Sequence, residues 1–92
     1  INVNMEYDIV HHPEKYRFEV KQDDLTAFVQ YRLVGNNLDI IHTIVPGPLE
    51  GQGIAASLVK AAFDYALENQ LKPRAVCSYA VVWLKRHQEY AR

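Results

Sequence analysis

The chain is poor in cysteine, glycine and long apolar runs, and each shortage narrows what it can be. One cysteine, Cys77, in 92 residues rules out an internal disulfide framework and a zinc site built on cysteines. A lone thiol suits a reducing compartment, so a cytoplasmic location is expected. No apolar run is long enough to span a bilayer, and no secretory pattern opens the sequence, so no membrane partner is expected. Ile1 stands first, so either an initiating residue was removed or Met5 is the native start. The basic residues form no dense stripe, which argues against nucleic acid. Internal repeats, linkers and low-complexity segments are absent. The length suits one domain, 1–92, with 1–15 read as a leader.

The near-neutral total hides an asymmetry. Residues 1–50 carry four Lys/Arg against eight Asp/Glu, and residues 51–92 carry six against three. The basic second half would suit a small anionic ligand, or its charges are simply solvated on the surface.

Alternation organises the first half. Tyr16, Phe18 and Val20 interleave with Arg17, Glu19 and Lys21, which reads as a strand. "QDD" at 22–24 is a polar turn. "LTAFVQYRLV", 25–34, is rich in β-branched and aromatic residues and reads as a second strand. "GNN" at 35–37 is a hairpin signal. "LDIIHTIV", 38–45, is a third strand, apolar enough for the middle of a sheet. His11-His12 falls in the leader and reads as surface, and no metal site is expected there.

From Ile54 the period changes. Ala55, Leu58, Val59, Ala62 and Ala66 share a helical face, with Phe63 and Leu67 beside it, so a helix is expected over about 53–69. Pro73 reads as a breaker before a short strand, 74–79. "AVVWLKRHQEY" reads as a short final helix in which Val81, Trp83 and Leu84 seek cover. The order β-β-β-α-β-α is an α+β layer: an antiparallel meander, then helix, strand and short C-terminal helix.

Between the third strand and the helix lies "PGPLEGQG", 46–53, with two of the four prolines and three of the four glycines of the chain. A helix N-terminus presents unpaired N–H groups and partial positive charge. Gly51 and Gly53 clear side chains from that backbone. The product is an anion cradle suited to a phosphate or pyrophosphate, or else a turn that needs glycine for its angles. No Lys-Ser/Thr follows, so it is not a nucleotide P-loop, and the three-glycine dinucleotide fingerprint is missing.

Glu50-Gly51-Gln52-Gly53-Ile54-Ala55 resembles the acetyl-CoA pyrophosphate loop of the GNAT superfamily of N-acetyltransferases, whose pattern is Gln/Arg-x-x-Gly-x-Gly/Ala. Gly53 and Ala55 match its last positions, while Glu50 stands where Gln or Arg is usual. The ordered set His42-Thr43-Ile44-Val45, the glycine loop, Leu58-Val59, Cys77-Ser78-Tyr79 and His87-Gln88-Glu89-Tyr90 is similar to a very short GNAT-like branch. The resemblance implies a minimal GNAT-like fold that binds acetyl-CoA as cosubstrate and moves its acetyl group to an exposed amine. It implies pyrophosphate contacts around Gln52–Ala55 (Gly51, Gln52, Gly53, Ile54 and Ala55) and pantetheine in a gap between 38–45 and 74–79. Thr43, Ile44, Val45 and Ser78 would then be cofactor contacts. His87 and Tyr90 either close over the cofactor or lock the C-terminus onto the sheet.

Three side chains are candidates for the chemistry. Cys77 is either a transient acetyl carrier or a small packed strand residue. His42 is either the acceptor of the amine proton or a core histidine, since alternation groups it with Leu38, Ile40 and Ile44. Tyr79, sharing a strand face with Cys77, is either the acid for the thiolate or a core aromatic. Longer GNAT members carry N-terminal helices that shape the acceptor site and have no room here, so an exposed protein lysine, N-terminus or polyamine is the implied acceptor. The alternative is a non-catalytic CoA-binding or interaction module.

Overall fold

In a computed structural model the chain is described from Tyr7 to Ala91. The described residues form a five-stranded sheet and two helices. The strands are β1 (Val10–His12), β2 (Arg17–Gln22), β3 (Leu25–Val34), β4 (Asn37–Ile44) and β5 (Lys72–Ala75). The helices are α1 (Ile54–Glu68) and α2 (Ser78–Arg86). The sheet order is β1-β2-β3-β4-β5, antiparallel throughout except for the parallel β4–β5 pair. The expected meander and helix are present, and α1 makes the crossover that a parallel pair requires.

Local chemistry sets the turns and caps. Asp23 and Asp24 both take positive φ, 53° and 64°, which closes β2 and β3 with the twist that a two-residue hairpin needs. Gly53 caps α1 in the left-handed region, φ 80°. Asn69 closes the other end with its amide on the Tyr65 carbonyl, 2.8 Å.

One face of the sheet carries the core. Phe18, Val20, Ala27, Val29, Tyr31, Leu38 and Ile40 meet Ile54, Leu58, Val59, Ala62, Phe63 and Ala66 of α1, all buried. Trp83 of α2 packs on Phe63 and Tyr90 and stacks on His87 at 3.8 Å between ring centroids. The Tyr31 phenol, pushed up to about 12 by burial with Tyr65 and Tyr16 nearby, stays protonated. The opposite face carries charge. Buried Glu19 lies beside Arg17 and His12, and buried Asp39 lies between Arg32 and Arg74.

Four expectations need correction. The leader contains β1, and His11 is not a plain surface residue: its ring lies parallel to Phe18 at 3.9 Å and its Nε2 meets the Tyr31 hydroxyl at 2.7 Å. Pairing with β2 half-buries it, a non-local cause that two adjacent histidines do not announce. Pro73 sits inside a strand rather than before it. The N–H groups that reach β4 come from Lys72 and Val76, onto Asn36 and Ile40. The missing N–H of Pro73 therefore faces the free edge, where proline is tolerated.

The strand also ends early, at Ala75, so Cys77, Ser78 and Tyr79 open α2 and do not share a strand face. The fourth correction is a β-bulge. Gln30 pairs with His42 but Tyr31 pairs with Ile40, so Ile41 is an extra residue. One extra residue reverses the alternation beyond it. Thr43, opposite buried Val29, faces the helices, while His42, opposite Gln30, is exposed on the charged face. His42 is not a core histidine.

Candidate functional site

Beyond Ile40 the parallel pair comes apart. The Val76 and Cys77 N–H groups both donate to the Ile40 carbonyl, at 2.9 and 3.2 Å, and the chain then turns into α2. β4 continues to Ile44 without a strand on that side. A cleft of about 540 Å³ opens there, lined by Thr43, Ile44, Val45, Leu49, Glu50, Gly51, Gly53, Ile54, Ala55, Ala56 and Tyr79.

The glycine loop forms one wall and is held by its own bonds. Leu49 is buried beneath it, Leu49 N–H donates to Pro46 O at 2.8 Å, and Glu50 N–H to Gly47 O at 3.1 Å. The Gln52 amide reaches Pro48 O at 3.2 Å, and the Tyr7 hydroxyl donates to the Gln52 carbonyl. These bonds leave the donors free. The first N–H of α1 to find an acceptor is that of Ser57, onto Gly53 O at 3.1 Å. Among the described residues the N–H groups from Gly51 to Ala56 have no acceptor. A Cβ built at Gly51 or Gly53 would meet nothing within 4 Å, so the space before the loop is open. Both take φ near +80°, the left-handed region that favours glycine.

The opposite wall comes from α2. Tyr79 lies in its first turn, exposed into the cleft; partial burial pushes its phenol up, with Arg86 pulling the other way. At neutral pH it is a proton donor and not a base. Cys77 is the N-cap of α2. Its Sγ accepts the Ala80 N–H at 3.4 Å and sits 3.3 Å from Thr43 Oγ1. The thiol thus lies one contact behind the cleft lining, at the N-terminal end of α2.

The structure divides the expected site residues. Thr43, Ile44, Val45, Gly51, Gly53, Ile54, Ala55 and Tyr79 come together around the cleft. Gln52 is within the loop, and Cys77 touches the lining through Thr43. Ser78 is exposed beside Cys77. His42 lies on the other face of the sheet. His87 and Tyr90 lie elsewhere, against Trp83, where the Tyr90 hydroxyl donates to Asp64 Oδ1 at 2.6 Å. Leu49 and Ala56 were not expected in the lining. Leu49 is the only large apolar residue within the loop, the one signal that would have marked it as the loop's anchor.

Comparison with known proteins gives one consistent result. Residues 15–92 match the family model described as GCN5-related N-acetyl-transferase. The mouse protein NATD1 is 33% identical over 82 residues, covering 86% of this chain and 74% of that protein. The human NATD1 is 39% identical over 62 residues, covering 66% of this chain and 55% of that protein. An NMR structure of a GCN5-like protein from Staphylococcus aureus superposes with a TM-score of 0.72 at 35% identity, over 90% of this chain and 82% of that one.

Proposed function

Since this chain belongs to the GCN5-related N-acetyltransferase family, we propose that the cleft beside the glycine loop binds acetyl-CoA and that the protein transfers the acetyl group to an exposed amine. One observation carries the reading: among the described residues the consecutive N–H groups of Gly51–Ala56 have no acceptor, and the space beside Gly51 and Gly53 is open to the cleft. Such donors at a helix N-terminus suit a phosphate anion. Bound there, acetyl-CoA supplies an activated thioester.

The chain's own residues divide the work. Gly53, Ile54 and Ala55 hold the phosphates through their N–H groups, with Gly51 and Gln52 shaping the loop. Thr43, Ile44 and Val45, beyond the point where β5 leaves β4, offer an unpaired strand edge for the pantetheine amides. Tyr79, protonated and exposed in the cleft, donates a proton to the departing thiolate. His42 stands on the opposite face of the same strand and takes the amine proton from a substrate arriving on that face. Cys77 either accepts the acetyl group itself or positions Thr43. His87 and Tyr90 lock the C-terminus. An acceptor reached from an uncovered sheet face fits an exposed lysine, an N-terminus or a polyamine, and the single part-exposed thiol fits a cytoplasmic setting.

The reading is tested by titrating the protein with acetyl-CoA and with CoA by calorimetry, then assaying acetylation of polyamine and lysine-peptide panels. Binding with turnover supports it. Binding without turnover on any amine leaves a CoA-binding module, and no binding at millimolar ligand refutes both.

A further inference from the structure

The cleft is equipped for an anion in its backbone but not in its side chains. None of its lining residues is Lys or Arg, and the only group in the lining charged at neutral pH is the carboxylate of Glu50. Glu50 is exposed, and no ion pair or hydrogen bond engages its side chain among the described residues. The nearest basic residue on α1, Lys60, is held by Asp64 at 2.8 Å. Arg17, Arg32 and Arg74 are committed to Glu19 and Asp39. Arg86 lies close enough to Tyr79 to act on its phenol, but among the described residues no basic side chain pairs with Glu50, so an unpaired negative charge adjoins Gly51 in the loop that would carry a diphosphate.

We infer that Glu50 is a specificity-determining residue of this cradle, a charge gate that disfavours ligands in proportion to the negative charge they bring to the loop. The inference rests on the acetyl-CoA reading and names what that site selects: a thioester donor whose charge is held by backbone donors alone and penalised by one carboxylate. The loop donors are neutral N–H groups with only the partial positive charge of a helix end, and no full positive charge pairs with Glu50 among the described residues. A like charge roughly 6 Å away through water weakens binding about threefold. A ligand with several phosphate charges near the loop accumulates that factor. Added salt screens it.

Three probes differ in phosphate charge: CoA, 3′-dephospho-CoA, and acetyl-pantetheine, which has none. Each is titrated by calorimetry into the wild type and Glu50→Gln at low and at high salt. Because the Glu50 side chain makes no bond, the variant keeps the fold, which a thermal melt checks. The expected result is CoA binding about three- to tenfold tighter to Glu50→Gln, a smaller gain for 3′-dephospho-CoA, no change for acetyl-pantetheine, and a gain that shrinks with salt. Unchanged or weaker CoA binding in a folded Glu50→Gln protein overturns the gate, as does an equal gain for acetyl-pantetheine. If neither protein binds CoA, the acetyl-CoA reading itself has failed and the gate falls with it.

Discussion

Gly53→Val tests the cradle most directly, and the structure separates its two effects. Gly53 has φ 80° and ψ 8°, a left-handed conformation that costs an L-residue about 1–2 kcal/mol. A Cβ there meets nothing within 4 Å, so the cost in the free protein comes chiefly from the backbone angle, at the upper end of that range for a β-branched residue. For a domain of this size each kcal/mol lowers Tm by about 4–8 °C. Against a total stability of about 5–15 kcal/mol the variant should stay folded at room temperature with a clearly lower melting point. The ligand effect is separate. The branched side chain fills the open space before the Ile54 and Ala55 N–H groups. Losing one hydrogen bond to a charged acceptor costs about 1.5–3 kcal/mol, which weakens acetyl-CoA binding about tenfold to 150-fold.

The matched control is Gly35→Val, at a hairpin glycine with φ 56° and equally open space. It bears a similar backbone cost outside the cleft and should melt lower while binding normally. Calorimetry and circular-dichroism melts on both proteins give the answer. A folded Gly53→Val protein with wild-type affinity places the anion elsewhere. An equal affinity loss in Gly35→Val would mean that backbone strain, not occlusion, was being measured.

Other perturbations separate packing from chemistry. Burial holds the His11 imidazole below its usual 6.5, with His12 adding to the effect and Glu14 opposing it. The unfolded chain then binds more protons, so stability is full above about pH 6.5 and falls as pH drops toward the folded value; urea midpoints should show this fall in the wild type and a flatter profile in His11→Gln. Tyr90→Phe removes the 2.6 Å bond to Asp64, so it should cost about 1–3 kcal/mol of stability in urea titrations and leave CoA affinity unchanged. For Cys77, incubation with acetyl-CoA alone should add one hydroxylamine-labile acetyl mass if the thiol carries the group. Direct attack by the amine gives no adduct and leaves Cys77→Ser turnover within about tenfold, a barrier change near ~1.4 kcal/mol. Serine is the cleaner substitution because it preserves the N-cap that the sulfur provides, whereas alanine removes it.

The parts of the fold governed by local pattern were legible in the sequence. Alternation around Phe18 and Val20 marked β2, and the spacing of Leu58, Val59, Ala62 and Ala66 marked α1. The glycines marked the loop as a place where backbone is exposed. What escaped was set by partners distant in sequence. Val10–His12 is a strand because β2 lies beside it, and Pro73 is tolerated in β5 because that strand is an edge. Cys77 caps a helix, a task usually read from Ser, Thr, Asp or Asn, so the Cys-Ser-Tyr run passed for a strand.

The bulge at Ile41 matters most for the proposed chemistry. Inside the apolar run Ile40-Ile41 no residue announces an insertion, yet strict alternation would put His42 in the core and Thr43 on the far face. The extra residue exchanges them. Thr43 turns toward Cys77 and the cleft, while His42 turns toward the open face. If acetyl-CoA lies along the cleft and the amine approaches the open face, the donor and the proton acceptor reach one strand from opposite sides. Deleting Ile41 would remove the bulge yet keep both faces, since His42 would then follow Ile40 directly on the open side and Thr43 would still turn toward Cys77. On that proposed arrangement, with Ile41 bulged, one short strand serves both substrates.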